Sequence, residues 1–364
     1  MRNGLIGLCW ALLLVAALVT KAYAQREPVQ NPKLDQLIAA ARAEGELDLV
    51  AGGGTWGEAE GVKIIQDALN KKYGLNIRIR YAAGPAMPVM TNRVMETHKA
   101  GAKSDTDLLV SNARPVNMVL GKGVTRSFAW REAFPYFPAD TIEFGGQLIR
   151  FVDVFNGITF NTREVTGKER LQRLDDVLNP KWKGRIASTP YASALYFLAS
   201  NRLLGYEKAT AYVRALGRQI GGLIRCGEES RIASGEFLML AMNCGNYGGE
   251  DYARKTGAPV GVTILEDAAV LDSFYFVVPV NSAHPNVATL LVGFLMSKEG
   301  QDILSRVVGW SSASVEGTPV NREYKEMEKK GVKVVRFTAA SWAGEEGQIL
   351  NRATTEFQKI LAGR

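Results

Sequence analysis

The strongest constraint on this 364-residue chain is an alternation of short apolar runs with amphipathic segments of helical period. Residues 31–44 have helical spacing, 47–51 form a compact apolar run, and 58–73 return to the helical pattern. Residues 76–81 (NIRIRY) then predict a strand, 88–100 a helix and 106–111 (TDLLVS) a strand. Such alternation predicts an α/β protein built from βαβ units, with largely parallel sheets covered by helices on both faces. Ligands of such sheets sit beyond the carboxyl ends of the strands. That singles out the segments 52–56, 82–86 and 112–114.

Two extended segments break the alternation, 151–160 (FVDVFNGITF) and 270–280 (VLDSFYFVVPV). Between them lies a second alternating block: strand 184–188, helices 192–204 and 207–219, strand 222–225, short helix 230–235 and strand 237–243. The pattern predicts a second lobe inserted into the first, with the two extended segments as crossover strands and a cleft between the lobes. The expected division is 25–153 plus 275–325 for lobe 1 and 154–274 plus 326–364 for lobe 2. Residues 284–305 predict one long helix near the end of the block that returns to lobe 1.

The N-terminus narrows the function. Arg2 is followed by LIGLCWALLLVAALVT, 16 uncharged residues, and then by Ala22-Tyr23-Ala24. That order reads as an export signal cut after Ala24, because a bilayer span needs about 20 apolar residues. The chain is therefore expected in the periplasm. The formal charge of +7 falls to +5 once Arg2 and Lys21 are removed, and no basic block stands out. Nucleic acid is not an expected partner. The run Gly52-Gly53-Gly54-Thr55-Trp56 has neither GxGxxG spacing nor the Lys-Ser/Thr ending of a P-loop, so it does not predict a nucleotide cradle.

Cys226 and Cys244 remain after cleavage, and in an oxidising compartment the pair predicts a disulfide. The rival reading makes one of them the nucleophile of an exported enzyme. It lacks support from histidine, since His98 and His284 are the only two. The same scarcity predicts no zinc site, and no cofactor is expected.

Three collinear stretches resemble one family. LDDVLNPKWKGRIA (174–187), HPNVATLLVGFLMSKEGQ (284–301) and FNGITFNT (155–162) are similar to signatures of the extracellular solute-binding proteins of ABC importers, in the branch of ferric-ion, polyamine and phosphonate binders. The resemblance implies the two-lobe type 2 periplasmic binding protein fold, with a hinge of two crossover strands and no catalytic activity. It also implies a small-molecule solute and an ABC permease in the inner membrane as partners, and a monomeric state. Trp182, Asn179-Pro180 and Lys183-Gly184 within these stretches read as packing and turn chemistry.

In the ferric branch the loop after the 237–243 strand carries two adjacent tyrosines, whereas here Asn243-Cys244-Gly245-Asn246-Tyr247 offers one. A hard trivalent ion wants several anionic oxygens, so direct ferric binding is not the first expectation, though a ferric chelate is an alternative. The cleft candidates are hydrogen-bonding groups at strand ends and helix starts: Thr55, Ser111, Asn112, Thr189, Ser193, Asn243 and Asn246. Trp56, Tyr81, Tyr191 and Tyr247 supply ring faces, Gly53 and Gly54 backbone amides, and Arg114 and Arg225 anion contacts. Each has a plainer role as a helix cap, core residue or surface ion pair. Glu58, Asp251, Asp267 and Asp272 are the acids that would favour a cation. The expected solute is a small organic anion, captured between the lobes and delivered to the permease.

Overall fold

The computed structural model describes residues 31–52, 55–166 and 171–363. Its strands are β1 (Glu46–Gly52), β2 (Arg78–Gly84), β3 (Leu109–Asn112), β4 (Ile142–Glu143), β5 (Leu148–Asn156) and β6 (Ile158–Asn161). They continue with β7 (Ile186–Ser188), β8 (Ile220–Leu223), β9 (Met239–Leu240), β10 (Val260–Thr263), β11 (Val270–Val277) and β12 (Val335–Phe337). The expected export signal and its cut after Ala24 lie outside the described residues, as do Gly53 and Gly54.

One body is built on β12-β11-β5-β4, with β3 also pairing with β11 and the parallel pair β1-β2 beside β3. The other is built on β10-β6-β9-β7-β8. Parallel pairing holds for β1 with β2, β7 with β8 and β9, and β11 with β12. The central pair β5-β11 is antiparallel, as are β3-β11, β4-β5, β6-β10 and β6-β9, so both sheets are mixed rather than largely parallel. The physical reason is the crossover itself. A chain that leaves one sheet on β5 and returns on β11 passes the same junction in opposite directions.

Every residue of β5 and of β11 is buried, which explains their near-continuous apolar runs. The first body is filled by aromatics, including Trp56, Phe134, Phe137, Phe151, Phe276 and Phe294, with Phe151 stacked on Phe276 at 3.6 Å. In the second, Tyr212, Val213 and Leu216 of helix Tyr206–Gln219 pack with Leu350 and Phe357 of helix Gly344–Ala362. The strand β12 belongs to the first sheet, while the helix after it packs on the second body.

Three expected elements differ in form. The single helix over 284–305 is two, Pro285–Met296 and Lys298–Val308, because Ser297 turns extended (ψ 161°) and its hydroxyl caps Gly300 N at 3.1 Å. The expected helix 192–204 is only a 3₁₀ segment, Leu195–Ala199, preceded by Ala192 and Ala194 in left-handed conformations. The expected strand 237–243 shrinks to β9 because Met242, at φ 51°, turns the chain away.

β5 runs straight into β6 through Gly157, and the chain returns through residues 264–269 from β10 to β11. Asn243 ties this junction. Its side-chain carbonyl accepts from Gly157 N (3.1 Å) and Gly245 N (3.0 Å), and its Nδ2 donates to Thr159 Oγ1 (3.0 Å) and Asn246 Oδ1 (2.9 Å).

Candidate functional site

A cleft of about 540 Å³ opens between the two bodies. One wall comes from the first body: Thr55, Gly57, Glu58, Met87, Val307, Val308 and Trp310. The facing wall comes from the loop 226–229 and from Cys244 to Thr256, most of it helix Asn246–Thr256. It lies where strand-order logic expects it, beyond the carboxyl ends of β1, β8 and β9. Residues in left-handed conformations that L side chains rarely adopt gather at strand ends in this region: Glu58 after β1, Ala192 and Ala194 after β7, Met242 after β9.

The disulfide forms part of the wall. Cys226 and Cys244 are joined, with Cα atoms 5.8 Å apart, and both line the cleft. The bond fastens the loop carrying Glu229 to the loop carrying Tyr247, and it leaves neither sulfur free to act as a nucleophile. Gly245, directly after Cys244, is favoured by crowding and by its φ of 139°, since a Cβ there would fall 2.5 Å from the Tyr247 ring.

The charges of the lining are unequal. Glu58, Glu229 and Asp251 face one cation, Lys255. Asp251 is already engaged, with Arg254 and with Lys255 Nζ at 2.7 Å. Glu58 accepts from Tyr81 Oη at 3.2 Å. Glu229 has no ion-pair partner among the described residues. Burial raises its carboxyl above the ordinary range and Glu228 adds to the rise, while backbone N–H groups at Glu229 and Gly227 oppose it. Beside it stand Tyr247, Tyr252 and Trp310, with the Tyr247 ring edge-on to Trp310 at 5.8 Å. Burial raises the Tyr247 phenol, and Glu229 and Asp272 push it the same way.

Of the residues singled out from sequence, Thr55, Tyr247, the two cysteines and two of the acids, Glu58 and Asp251, line this cleft. Trp56 is 2% exposed and stacks on Phe276, so its ring belongs to the core. Ser111 is buried and paired with Thr91 Oγ1 at 3.0 Å; Asn112 ends β3. Thr189 Oγ1 caps Ser193 N at 2.9 Å, and Ser193 Oγ lies 3.6 Å from Cys244 Sγ, behind the lining. Asn243 is consumed by the junction network described above, and Asn246 is drawn into it. Tyr81 faces Glu58 from β2, and Tyr191 is exposed with its carbonyl on Gln358 Nε2 (3.3 Å).

The two expected anion contacts are elsewhere. Arg114 Nε donates to Asn351 Oδ1 (3.1 Å) and its guanidinium lies over Trp342, whereas Arg225 sits exposed on its loop, outside the lining. Among the expected acids, Asp267 caps Leu174 N (3.0 Å), and Asp272 is buried on β11. Sequence reasoning passed over Glu229, Tyr252, Lys255 and Trp310 as site residues. Nothing local marks Glu229 or Trp310 as site residues; Trp310 reaches the cleft from beyond helix Lys298–Val308.

Asp48, Asp107 and His284 bring ligand-type atoms within 4.8 Å of one another. Their hydrogen bonds give them a structural role. Asp107 Oδ1 accepts from Ser282 Oγ (2.8 Å), Ala283 N (2.8 Å) and His284 N (3.1 Å), and Oδ2 takes Asp48 N (2.7 Å) and faces His284 Nδ1 (2.7 Å). That carboxylate joins β1 to the start of helix Pro285–Met296 and has little capacity left for an ion.

Comparison with known proteins agrees with this geometry. A family model described as bacterial extracellular solute-binding protein matches residues 145–341, more than half of the chain. Solved structures share the fold. The substrate-binding protein of an ABC transporter from Agrobacterium tumefaciens has a TM-score of 0.69 at 15% identity, covering 87% of this chain and 97% of that one. Iron-bound HitA from Pseudomonas aeruginosa gives 0.68 at 18%, covering 86% and 99%. A putative spermidine/putrescine ABC transporter protein from Listeria monocytogenes gives 0.64 at 12%, covering 86% and 99%. A sequence search of curated proteins finds no match. The family and these neighbours are transport substrate-binding proteins rather than enzymes, and among the described residues no helix is long and apolar enough to cross a membrane. With its α/β architecture, two bodies and a cleft between them, the chain belongs to the bacterial extracellular solute-binding protein family.

Proposed function

We propose that this protein captures a small organic cation, an amine, in the cleft between its lobes and delivers it to an ABC permease from the periplasm. The observation that carries the reading is Glu229. It is a half-buried carboxylate with no counter-ion among the described residues, set beside the aromatic surfaces of Tyr247, Tyr252 and Trp310. An ammonium would neutralise the acid and sit against ring faces. The sequence favoured an anion, but Arg114 and Arg225 stand outside the cleft, and the one cation among the described lining residues, Lys255, is paired with Asp251. The lining therefore supports the opposite charge. Residues 1–24 serve as the export signal, and the lobes divide at Gly157 and within 264–269, with the β12 region bridging them. Capture closes the lobes by bending at those two points.

A thermal-shift panel tests the reading. Spermidine, putrescine and choline should raise Tm, with larger rises at higher ligand concentration. A shift given only by ferric citrate would replace the amine with a ferric chelate. A shift given only by carboxylates or phosphonates would restore the anion.

A further inference from the structure

The Cys226–Cys244 bond lies beyond the sheet that leads to it. β8 and β9 pair with β7 from opposite sides, so the loops that leave them emerge on either side of its end. Main-chain bonds close the sheet up to that point without help from sulfur: Ile224 N donates to Ser188 O and Ala241 N to Ala187 O, both at 2.9 Å. The cysteines come after these last rungs, and their bond runs from one loop to the residue before helix Asn246–Thr256 and its N-cap. It joins two pieces of cleft wall rather than two pieces of core. The hydrogen bonds of the Cys226 loop turn inward: Arg225 N donates to Glu228 Oε2 (2.7 Å), Glu228 N to Arg225 O (3.2 Å) and Arg231 N to Glu228 O (3.1 Å). Across the gap, the Glu229 carboxylate rests on the first turn of helix Asn246–Thr256, where a Cβ on Gly248 would come within 2.9 Å of its Oε1. The disulfide is the cross-link that keeps that carboxylate against the helix.

The two sulfurs are not equivalent. Cys226 is exposed and open to an incoming thiolate, while Cys244 is half-buried. Ser193 Oγ lies 3.6 Å from Cys244 Sγ, and since a disulfide sulfur carries no hydrogen, the hydroxyl is the donor. Cys244 also directly precedes Gly245, the N-cap of an 11-residue helix whose first turn holds no acid. A hydroxyl donor and a helix N-terminus both stabilise a thiolate, so negative charge is better placed on Cys244 than on Cys226. The Glu229 carboxylate, against the same helix turn, works the other way. Exchange runs fastest when the attacked sulfur is accessible and the leaving sulfur is the better thiolate, and exposed disulfides are the labile ones. Here the accessible sulfur and the better leaving group are on opposite sides of one bond.

We propose that Cys226–Cys244 is a thiol-exchange site, opened by a dithiol reductant, and that opening it releases the Glu229 loop from the cleft wall. One thiolate of the dithiol attacks Cys226 Sγ, the S–S bond breaks, and its electron pair leaves on Cys244. The second thiol of the reductant, once deprotonated, attacks the mixed disulfide; Cys226 leaves as a thiolate and the reductant closes its own disulfide. The dithiol gives up two electrons, and its two protons pass to the two cysteines. The sheet keeps its main-chain rungs at Ile224 and Ala241 throughout, so the cleft wall loosens while the second body stays folded. The effect on an amine rests on the function proposed above; the opening of the bond does not.

Dithiothreitol treatment of the oxidised protein without denaturant tests the assignment, with alkylated thiols counted by mass spectrometry. Both cysteines should become alkylated while circular dichroism keeps its native form. Amide hydrogen exchange should rise at least fivefold in 225–229 and 244–248 and stay unchanged in β7. In the single variants, iodoacetamide should reach Cys244 of C226S at lower pH than Cys226 of C244S, and S193A should narrow that gap. A bond that survives dithiothreitol until urea unfolds the chain overturns the proposal, as does native reduction with exchange unchanged in both segments. Cys226 titrating at lower pH than Cys244 overturns the direction of attack. Spermidine should bind the reduced protein at least threefold more weakly than the oxidised one, and reoxidation should restore it; equal affinity in both forms would overturn the release of the wall. Spermidine binding to neither form would remove the amine, and the thiol counts and amide exchange would still decide the exchange site.

Discussion

Gly157 and Thr263 touch where the β5–β6 connection meets the end of β10: a Cβ on Gly157 would lie 1.9 Å from the Thr263 carbonyl oxygen and 3.2 Å from Asn246 Oδ1. The obstacle is backbone, so it cannot swing aside. Gly157→Ala should cost about 1–3 kcal/mol of stability, the usual range for an overfilled site. Urea denaturation measures it, and an unchanged midpoint would show that the junction is looser than this contact implies.

Glu229 should matter to binding and little to folding. A hydrogen bond to a charged group is worth about 1.5–3 kcal/mol, so E229Q should weaken an amine roughly ten- to hundredfold. Tm without ligand should hold or rise, because a carboxyl whose charged form is disfavoured by burial is replaced by a neutral amide. Titration of spermidine into both proteins makes the comparison.

The disulfide closes a loop with a sequence separation of 18. Replacing both partners, C226S with C244S, should remove about 3 kcal/mol on chain-entropy grounds. Solute affinity should also fall, since the loops bearing Glu229 and Tyr247 lose their tie. Chemical denaturation and ligand titration of the same variant separate the two losses.

Asp272 should tune stability against pH. It is 7% exposed on β11, its Oδ1 accepts Ser273 N at 2.8 Å, and burial, aided by Asp153, raises it from 3.8 to about 7. A folded-state value above the unfolded one gives stability that is complete below about 4 and lost as pH rises through 7. Between pH 5 and 8 the wild type should lose stability more steeply than D272N, whose amide oxygen can still accept from Ser273. Glu323 titrates in the same range in both proteins and so cancels. Equal slopes would remove Asp272 from the account.

Arg150 is 2% exposed and holds Asp153 (3.1 Å), Asp140 (2.7 Å) and Glu143 (3.3 Å). Removing one partner of a buried ionic group typically costs about 3–5 kcal/mol; here Asp153 stays wholly buried, while Asp140 is half exposed and Arg336 remains 3.5 Å from Asp140 and 3.6 Å from Asp153. R150M should reach that range in denaturation measurements and leave the second body's helices intact by circular dichroism.

The elements themselves were legible wherever period and length agreed. Helix Glu58–Tyr73 was read to the residue, and the all-buried β5 and β11 fall on the two extended, mostly apolar segments 151–160 and 270–280, though β5 begins three residues earlier. What the pattern could not carry was local conformation at strand ends. The left-handed turns at Ala192, Ala194 and Met242 replaced an expected helix and shortened an expected strand, and no residue there signals a positive φ. The site was legible only in part for a related reason. Polar residues at strand ends such as Ser111, Thr189 and Asn243 are taken up by Thr91, Ser193 N and Thr159 inside the fold, whereas the cleft is furnished by helix Asn246–Thr256 and by Trp310, brought in by tertiary packing.

The C-terminal segment has a consequence for assembly. β12 completes the edge of one sheet beside β11, and the helix Gly344–Ala362 then supplies Leu350 and Phe357 to the interior of the other body. Neither half can finish its interior early. Removing residues 335–361 should therefore weaken both bodies together rather than one alone.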